Sequence, residues 1–202
     1  MLCPALFSLT CPLVLASASP RRRQFMAEWG LPFLVDAPQG VEPKAAAGES
    51  PAAYALRAAQ AKARATAARH AGALTLAADT VVAVESAILG KPRDTEDALR
   101  MLCQLSGRTH QVITGVCMVL PDGTEQSFTD STDVTFAAWP EDVLHTYVRT
   151  GEPMDKAGAY AIQGQGAFLV EHIHGSWSTV VGLPVTETAR RLMQAGLLRP
   201  AL

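Results

Sequence analysis

The sequence contains few cysteines, and they are poorly placed for a metal centre or a disulfide scaffold. The four cysteines are Cys3, Cys11, Cys103 and Cys117. They form no Cys-x-x-Cys pair, and their density is far below that of a small secreted domain. We therefore expect reduced thiols in a cytosolic compartment and no metal centre built on cysteines.

The chain also lacks an excess of positive charge. Lys and Arg number 17 against 19 Asp and Glu, which gives a formal net charge of −2. Nucleic acids and anionic membranes bind proteins that carry surplus Lys and Arg across a whole face. Trp29, Trp139 and Trp177 are too scattered to form a stacking platform for bases. These absences argue against a nucleic-acid partner.

Long hydrophobic runs and a targeting segment are absent from the sequence as well. No stretch reaches the ~18 apolar residues that a membrane span requires. Residues 1–12 are mildly apolar, but they lack a charged leading segment and are interrupted by prolines. We expect a cytoplasmic protein with no membrane partner.

The length and composition are sufficient for one full hydrophobic core. The chain has 202 residues, of which 49% are hydrophobic and 18% charged, as in one globular unit. We expect a single domain over residues 13–202, built as one body or as two lobes around a central cleft. Residues 1–12 would form an N-terminal extension.

Apolar periodicity and turn residues predict alternating helices and strands. Predicted helices cover residues 20–30, 51–70, 95–104, 140–150 and 184–195. Predicted strands begin at Leu13 and cover 31–35, 74–84, 87–89, 112–120, 125–136 and 167–173. We expect the strand over 74–84 to be interrupted at Asp79-Thr80. The pattern predicts an α/β fold with a mixed, twisted sheet flanked by helices.

The first strand runs directly into a helix whose start is suited to an anion. Ser19 is a good N-cap and Pro20 occupies the first helical position. Unpaired helix N–H groups, the hydroxyl of Ser17 and the guanidinium groups of Arg21 and Arg22 then fall within about one turn. The segment is either an anion pocket or a solvated basic patch that opens a surface helix.

Asp79 and Thr80 are polar residues inside an otherwise apolar strand. A buried acid must be hydrogen-bonded, paired or metal-bound, so Asp79 is a candidate site residue at a cleft. The alternative is an acid that caps a helix or a turn.

Two lysines and one glutamine are further candidates. Lys91 lies in a tight turn between Gly90 and Pro92, and Lys62 projects from the Ala-rich helix; either could be a surface lysine. Gln163, in Ile162-Gln163-Gly164, offers an amide donor and an acceptor that complement the O4 and N3–H edge of uracil or thymine. It could instead cap loop backbone.

Several motifs follow one another as they do in the Maf family of nucleotide pyrophosphatases, which the chain resembles over roughly residues 13–195. They are Ser17-Ala18-Ser19-Pro20-Arg21-Arg22, Ala78-Asp79-Thr80-Val81-Val82, Gly90-Lys91-Pro92, Leu105-Ser106-Gly107 with His110, Thr114-Gly115-Val116, Asp155-Lys156-Ala157-Gly158-Ala159-Tyr160 and Gly182-Leu183-Pro184. One such motif is weak evidence, whereas seven in order are strong.

The resemblance implies an activity, a cofactor and a fold. Members hydrolyse a nucleoside triphosphate to the monophosphate and pyrophosphate with a divalent metal, so we expect Mg or Mn. The implied fold resembles that of inosine triphosphate pyrophosphatases, and a homodimer is a further expectation because members of the family often form one. The Ile-Gln-Gly pattern matches the branch that acts on dTTP and UTP.

The resemblance also implies roles for individual residues. Asp79 would accept the proton of the attacking water and share the metal ion. The implied phosphate-binding residues are Ser17, Arg21, Arg22, Lys62 and Lys91. The residues implied to set base choice are Arg21, Thr80 and Gln163.

One departure from the family leaves alternatives open. Members commonly carry an acidic pair before the Ala-rich helix, but here Glu42 is followed by Pro43. Glu42 is therefore a second candidate metal ligand, with Glu49 as a third. The alternatives are a 7-methyl-GTP pyrophosphatase of the same family and a non-catalytic, nucleotide-binding regulator of septum formation.

Overall fold

The computed structural model describes residues 5–41, 43–85 and 87–201. The helices are α1 (Pro20–Glu28), α2 (Pro51–Ala67), α3 (Thr95–Leu105), α4 (Glu141–Arg149), α5 (Trp177–Val181) and α6 (Val185–Gln194). The strands are β1 (Phe7–Leu9), β2 (Leu13–Leu15), β3 (Leu34–Val35), β4 (Leu74–Val84), β5 (Ala87–Leu89), β6 (Thr109–Val119), β7 (Glu125–Phe136), β8 (Val170–His174) and β9 (Leu198–Pro200). Short 3₁₀ turns lie at Glu152–Asp155, Ala157–Ala159 and Gly164–Leu169.

The first three helices begin where the sequence supplies a cap. The side chains of Ser19, Ser50 and Asp94 accept hydrogen bonds from the backbone N–H three residues further along, at the starts of α1, α2 and α3. Pro20 and Pro51 follow the two serine caps and need no hydrogen bond at that position. Local chemistry therefore fixes these starts.

Within the described residues, the strands form a seven-stranded sheet and a two-stranded one. The larger sheet has the order β3-β2-β4-β6-β7-β8, and β5 pairs with β4 off this path. Strand β2 is parallel to both β3 and β4, while the β4–β5 and β7–β8 pairs are antiparallel. The predicted mixed α/β fold is confirmed.

The chain divides into two compact units. The first comprises the described residues of Met1–Asp79, Gly115–Thr129 and Gly182–Leu202, and the second those of Thr80–Thr114 and Asp130–Val181. In the first unit, Ala59 and Ala63 of α2 pack with Ala16, Ala77 and Cys117. The larger apolar core of the second unit includes Leu102, Leu105, Val134, Phe136, Leu144, Tyr147 and Leu169.

Strand β4 corrects one prediction, because it runs without interruption through Asp79 and Thr80. The carboxylate of Asp79 is satisfied by a side chain, so the strand need not break to hydrate it. The predicted strand over 167–173 also begins late, because a 3₁₀ turn occupies Gly164–Leu169 before β8.

The termini contribute elements that the sequence did not predict. Strand β1, inside the expected N-terminal extension, pairs antiparallel with β9, with Phe7 opposite Pro200. Cys11, Cys103 and Cys117 are free thiols. In the part of the chain that the structure describes, each helix is too short or too polar to cross a membrane.

Candidate active site

The segment between β2 and α1 is held by Ser17 and Arg22. Arg22 donates from Nη1 to the Ser17 hydroxyl at 3.1 Å and from Nε to the carbonyl of Gly182 at 2.7 Å. The backbone N–H of Ser19 donates to the same Ser17 hydroxyl at 3.2 Å. Since Gly182 belongs to the Gly-Leu-Pro motif, Arg22 joins two of the motifs within the first unit.

Arg21 has a buried donor at the same helix start. Its side chain is half-buried, and within the described residues its Nε has no hydrogen-bond partner. A guanidinium stays charged and its N–H groups only donate, so a buried one requires an acceptor. An anion at this helix N-terminus would provide that acceptor.

Helix α2 approaches strand β6 closely because Gly115 has no side chain. A Cβ at Gly115 would lie 2.5 Å from the carbonyl carbon and oxygen of Ala55. Lys62 is seven residues beyond Ala55, and two helical turns return it to the same face of α2. The small residues of α2 and β6 therefore bring the Lys62 side chain to the sheet.

Lys62 forms an ion pair with Asp79. Its Nζ lies 2.5 Å from Asp79 Oδ1, and the two side chains are 17% and 8% exposed. A carboxylate and an ammonium of such low exposure stabilise each other, since either alone would be a poorly solvated charge.

Parallel pairing of β2 and β4 brings the two groups of residues to one sheet edge. Leu15 lies opposite Leu76, and the N–H of Ala16 donates to the Leu76 carbonyl at 2.8 Å. Ser17 follows the carboxyl end of β2, and Asp79 lies within β4 three residues beyond Leu76, so both are displaced in the direction in which the two parallel strands run, toward the side where open α/β sheets bind ligands.

In the second unit, Thr80 begins a chain of hydrogen bonds that runs through Thr114 and Thr179. Its hydroxyl lies 2.9 Å from the Thr114 hydroxyl, which donates to the Thr179 carbonyl at 2.8 Å. The Thr179 hydroxyl in turn donates to a carboxylate oxygen of Asp130. The Thr114 hydroxyl has one proton and donates it to the Thr179 carbonyl, so Thr80 must be the donor in its contact with Thr114.

Lys91 is exposed, in a turn that is anchored by its neighbours. The carbonyl of Gly90 accepts from the N–H of Gly158 at 3.0 Å, and Pro92 is buried. The Gly-Lys-Pro turn therefore has a fixed backbone and a solvent-exposed lysine.

Gln163 lies in a loop that is fastened by Glu152 and Tyr147. The Glu152 carboxylate accepts from the N–H groups of Gln165 and Gly166 and from the Tyr147 hydroxyl. Burial opposes the charge on Glu152, but these hydrogen bonds outweigh it and hold the pKa of that carboxyl below its usual range. Burial, with the Glu152 contact, raises the pKa of Tyr147.

Sequence reasoning did not identify Glu152, Tyr147 or Thr114 as residues that hold the site. Thr114 appeared in the sequence only as part of the Thr114-Gly115-Val116 motif, and the local signal for Glu152 was a Gly-Glu-Pro turn shortly before the Gln163 loop. A surface pocket of about 520 Å³ on the second unit is lined by Tyr147, Gln165 and residues of α4, but by none of the predicted site residues.

The structure brings together some of the predicted residues. Within the first unit, Ser17 contacts Arg22, and Lys62 contacts Asp79. The predicted residues of the second unit are Thr80, Lys91 and Gln163.

Two candidate metal ligands, Glu42 and Glu49, precede α2 in the sequence. Glu42 lies outside the described residues. Glu49 is engaged, because its carboxylate accepts from Arg57 at 2.6 and 2.7 Å and from the N–H of Ala46 at 2.9 Å. The Arg57 contact lowers the pKa of Glu49 to about 2. Glu49 therefore links the loop before α2 to Arg57 of that helix.

A helix start with a buried guanidinium Nε that has no partner among the described residues, together with a buried carboxylate–lysine pair in the same unit, defines an α/β protein that is equipped to bind an anion. The comparisons with known proteins identify the family. Residues 12–195 match the family described as Maf-like protein. The chain belongs to this family.

Curated relatives resemble the chain over most of its length. A dTTP/UTP pyrophosphatase of Nitratidesulfovibrio vulgaris is 54% identical over 192 residues, which cover 95% of this chain and 91% of the relative. A dTTP/UTP pyrophosphatase of Myxococcus xanthus is 51% identical over 93% of this chain and 94% of its own. Among solved structures, a nucleoside-triphosphatase / dITP/XTP pyrophosphatase from Mycobacterium abscessus is 17% identical over 92% of this chain and 97% of its own, with a TM-score of 0.44.

Proposed function

We propose that this chain is a hydrolase that converts dTTP and UTP to the monophosphate and pyrophosphate by cleavage between the α and β phosphates. The observation that carries the proposal is the Lys62–Asp79 pair at the sheet edge shared with Ser17 and the start of α1. The names of the relatives, both dTTP/UTP pyrophosphatases at more than 50% identity, support the choice of substrate.

In this proposal, Asp79 accepts a proton from the attacking water. Its carboxylate is buried and is held in place by a charge-assisted contact with the ammonium group of Lys62. A positioned carboxylate typically contributes about 10²- to 10⁴-fold as a general base. Asp79 therefore provides the group that a direct attack by water requires.

Arg21 and Lys62 of the first unit are the cations that we propose bind the triphosphate, and Lys91 of the second unit is a further candidate. Among the described residues, none accepts from the buried Nε of Arg21, and Lys62 is held against the sheet by its contact with Asp79. Lys91 is exposed on a fixed turn, and Ser17 and Arg22 hold the start of α1 in shape. Phosphoryl transfer depends on such positioning and charge stabilisation more than on covalent chemistry.

A divalent metal fits the donor chemistry of Asp79. The described residues contain no cluster of three or more His, Cys, Asp and Glu side chains that could hold a metal. Mg²⁺ commonly uses one or two carboxylates and completes its coordination with substrate phosphates and water. Asp79, with Glu42 as a second candidate, would hold Mg²⁺ or Mn²⁺, which would supply charge stabilisation to the phosphates.

The Thr80 hydrogen-bond chain suits a uracil or thymine base. Thr80 commits its proton to Thr114, so its oxygen can only accept from a ligand. The N3–H of uracil or thymine is a donor, whereas N3 of cytosine is an acceptor. Gln163, with one donor and one acceptor on its amide, would read the neighbouring edge of the base, and Arg21 is the third candidate for base selection.

A panel of nucleoside triphosphates tests the proposal. The assay uses the purified full chain with Mg²⁺ or Mn²⁺. It measures the release of pyrophosphate and of orthophosphate separately. We expect pyrophosphate release from UTP and dTTP about ten- to a hundredfold faster in kcat/KM than from CTP, since each mismatched buried polar group costs ~1–3 kcal/mol.

Other results of the panel would contradict the proposal. A preference for 7-methyl-GTP would place the chain in the other branch of the family. Release of orthophosphate in place of pyrophosphate would refute cleavage between the α and β phosphates. No release from any nucleotide at high protein concentration would leave the non-catalytic regulator. We further propose a cytoplasmic location and a homodimer.

A further inference from the structure

The conformation of the loop that carries Gln163 depends on contacts from outside the loop. Gln163 itself is extended, and the next residue, Gly164, has a φ of +78°. Residues 161–163 belong to no helix or strand, so the backbone receives little support from regular structure there. A side chain that reads a base must be held in place, because an amide that can turn over fits cytosine as well as uracil.

The Glu152 carboxylate binds one end of this loop directly. Oε1 accepts from the N–H of Gln165 at 3.0 Å, and Oε2 accepts from the N–H of Gly166 at 2.8 Å. Hydrogen bonds from backbone N–H groups to an ionised carboxylate are stronger than those to a neutral acceptor. Glu152 therefore fixes the two peptide units that follow Gly164.

Tyr147 connects the same carboxylate to the other end of the loop. Its hydroxyl donates to Glu152 Oε2 at 2.8 Å and accepts from the N–H of Ala161 at 3.3 Å. Gln163 lies between Ala161 and Gln165, so both flanks of Gln163 are tied to one carboxylate–phenol pair.

Two glycines allow the loop to lie directly on this pair. A Cβ at Gly164 would be 2.3 Å from Glu152 Oε1, and a Cβ at Gly166 would be 2.4 Å from the Tyr147 hydroxyl. Such distances leave no space for a side chain, so these glycines are required for the contact as well as for the turn.

The pair is itself held firmly by its surroundings. Tyr147 is 3% exposed on α4. The backbone of Glu152 donates to the Thr150 hydroxyl at 3.2 Å, and its carbonyl accepts from Lys156 Nζ at 2.6 Å. The support for the Gln163 loop thus extends into the core of the second unit.

We propose that Glu152 is a positioning residue that holds the Gln163 loop in the conformation that selects the base. The inference rests on the proposed function, and it assigns Glu152 no contact with substrate. Loss of the carboxylate then affects base selection before it affects the chemistry at the phosphates.

The variant Glu152→Gln tests this role with almost no change in shape. One of its two oxygen acceptors becomes an N–H₂ donor, so at least one contact with Gln165, Gly166 or Tyr147 is lost. We expect kcat/KM for UTP to fall about tenfold, mainly through KM, and the UTP-over-CTP ratio to narrow toward one. Glu187→Gln is the matched control, because Glu187 pairs with Arg190 and Arg191 on α6 of the first unit. In this control, kcat/KM for UTP and the UTP-over-CTP ratio should stay at their wild-type values.

A double variant separates positioning from a general loss of structure. In a Gln163→Ala background, Glu152→Gln should cause no further narrowing of the UTP-over-CTP ratio, because its effect passes through Gln163. A further narrowing of the ratio in that background would overturn the proposal. Tyr147→Phe, which leaves the carboxylate in place but removes the tie to Ala161, should narrow the ratio in the same direction and replaces Glu152→Gln if that variant does not fold.

Amide exchange of the nucleotide-free protein gives a readout that needs no turnover. NMR should show faster hydrogen exchange at Gln165 and Gly166 in Glu152→Gln and wild-type rates in Glu187→Gln. Unchanged exchange, or faster exchange with an intact UTP-over-CTP ratio, would overturn the inference. If the wild-type chain hydrolyses neither UTP nor CTP, the proposed function is refuted, and base selection is measured instead as the ratio of the Kd values for CTP and UTP. The inference would then be overturned if Glu152→Gln and Glu187→Gln changed that Kd ratio equally.

Discussion

Asp79→Asn separates the catalytic role of Asp79 from its structural role. The variant keeps the shape of the side chain but removes its negative charge. The proposed general base is thereby lost, and we expect kcat for UTP to fall by ~10²-fold or more. Nucleotide binding should remain or become tighter, because a carboxylate near the phosphates repels them.

The cost in stability follows from the ion pair with Lys62. Removing one partner of a buried pair costs ~3–5 kcal/mol when the remaining charge is left without compensation. In the wild type, Lys62 Nζ lies 2.5 Å from the Asp79 carboxylate oxygen, and the amide oxygen of Asn can still accept from it. The lysine side chain is also 17% exposed, so water can solvate part of its charge. We therefore expect a smaller loss of about 1–3 kcal/mol in the free energy of unfolding. A triphosphate would supply the missing anion, so UTP should raise the Tm of the variant more than that of the wild type.

Asp97→Asn is a matched control for this experiment. Asp79 and Asp97 are each 6% exposed. Asp97 is held by Arg93 and Arg100 at the start of α3, and the Arg93 hydrogen bond lowers the pKa of Asp97. This control should lose stability and keep its kcat.

The measurements are thermal unfolding with and without UTP, isothermal titration with UTP and steady-state pyrophosphate release. A folded Asp79→Asn variant that keeps more than about a tenth of the wild-type kcat would refute the base assignment. Loss of kcat in the Asp97 control to the same extent would show that the assay reports damage to the fold.

Other predictions address base selection, helix packing and pH. Gln163→Ala should lower kcat/KM for UTP and dTTP and narrow the UTP-over-CTP ratio, with unchanged inhibition by free pyrophosphate; an unchanged ratio would show that Gln163 does not read the base. Gly115→Val should cost about 1–3 kcal/mol or more in thermal unfolding and also lower activity, because a Cβ there would meet the Ala55 backbone at 2.5 Å and displace Lys62 with α2; wild-type stability would contradict the packing argument. Burial lowers the pKa of His110 to about 4 from 6.5, so below pH 6.5 the unfolded chain binds a proton that the folded chain does not. The contribution of His110 to the free energy of unfolding should therefore be complete above pH 6.5, and the free energy should fall by up to about 3 kcal/mol as the pH drops to about 4. In denaturation measured as a function of pH, His110→Gln should reduce this dependence between pH 6.5 and about 4.

Local signals in the sequence determined much of the fold. Ser50 and Pro51 set the start of α2, and strand β7 lies over the predicted residues 125–136. Capping, fixed proline φ angles and apolar periodicity act over a few residues, so a single sequence contains them in full. The ordered motifs also identified the family, which the match over residues 12–195 confirmed.

The tertiary structure alone decided which side chains meet. Arg22 reaches the carbonyl of Gly182 across 160 residues of chain, and Lys62 of α2 reaches Asp79 of β4 in a helix that packs closely on the sheet at Gly115. The hydrogen bonds between the Gln163 loop and Glu152 likewise depend on the close packing of that loop against the Glu152 carboxylate. Such contacts are set by strand register and by the distance between packed elements, which arise from the whole chain and leave no local pattern that sequence reasoning can detect.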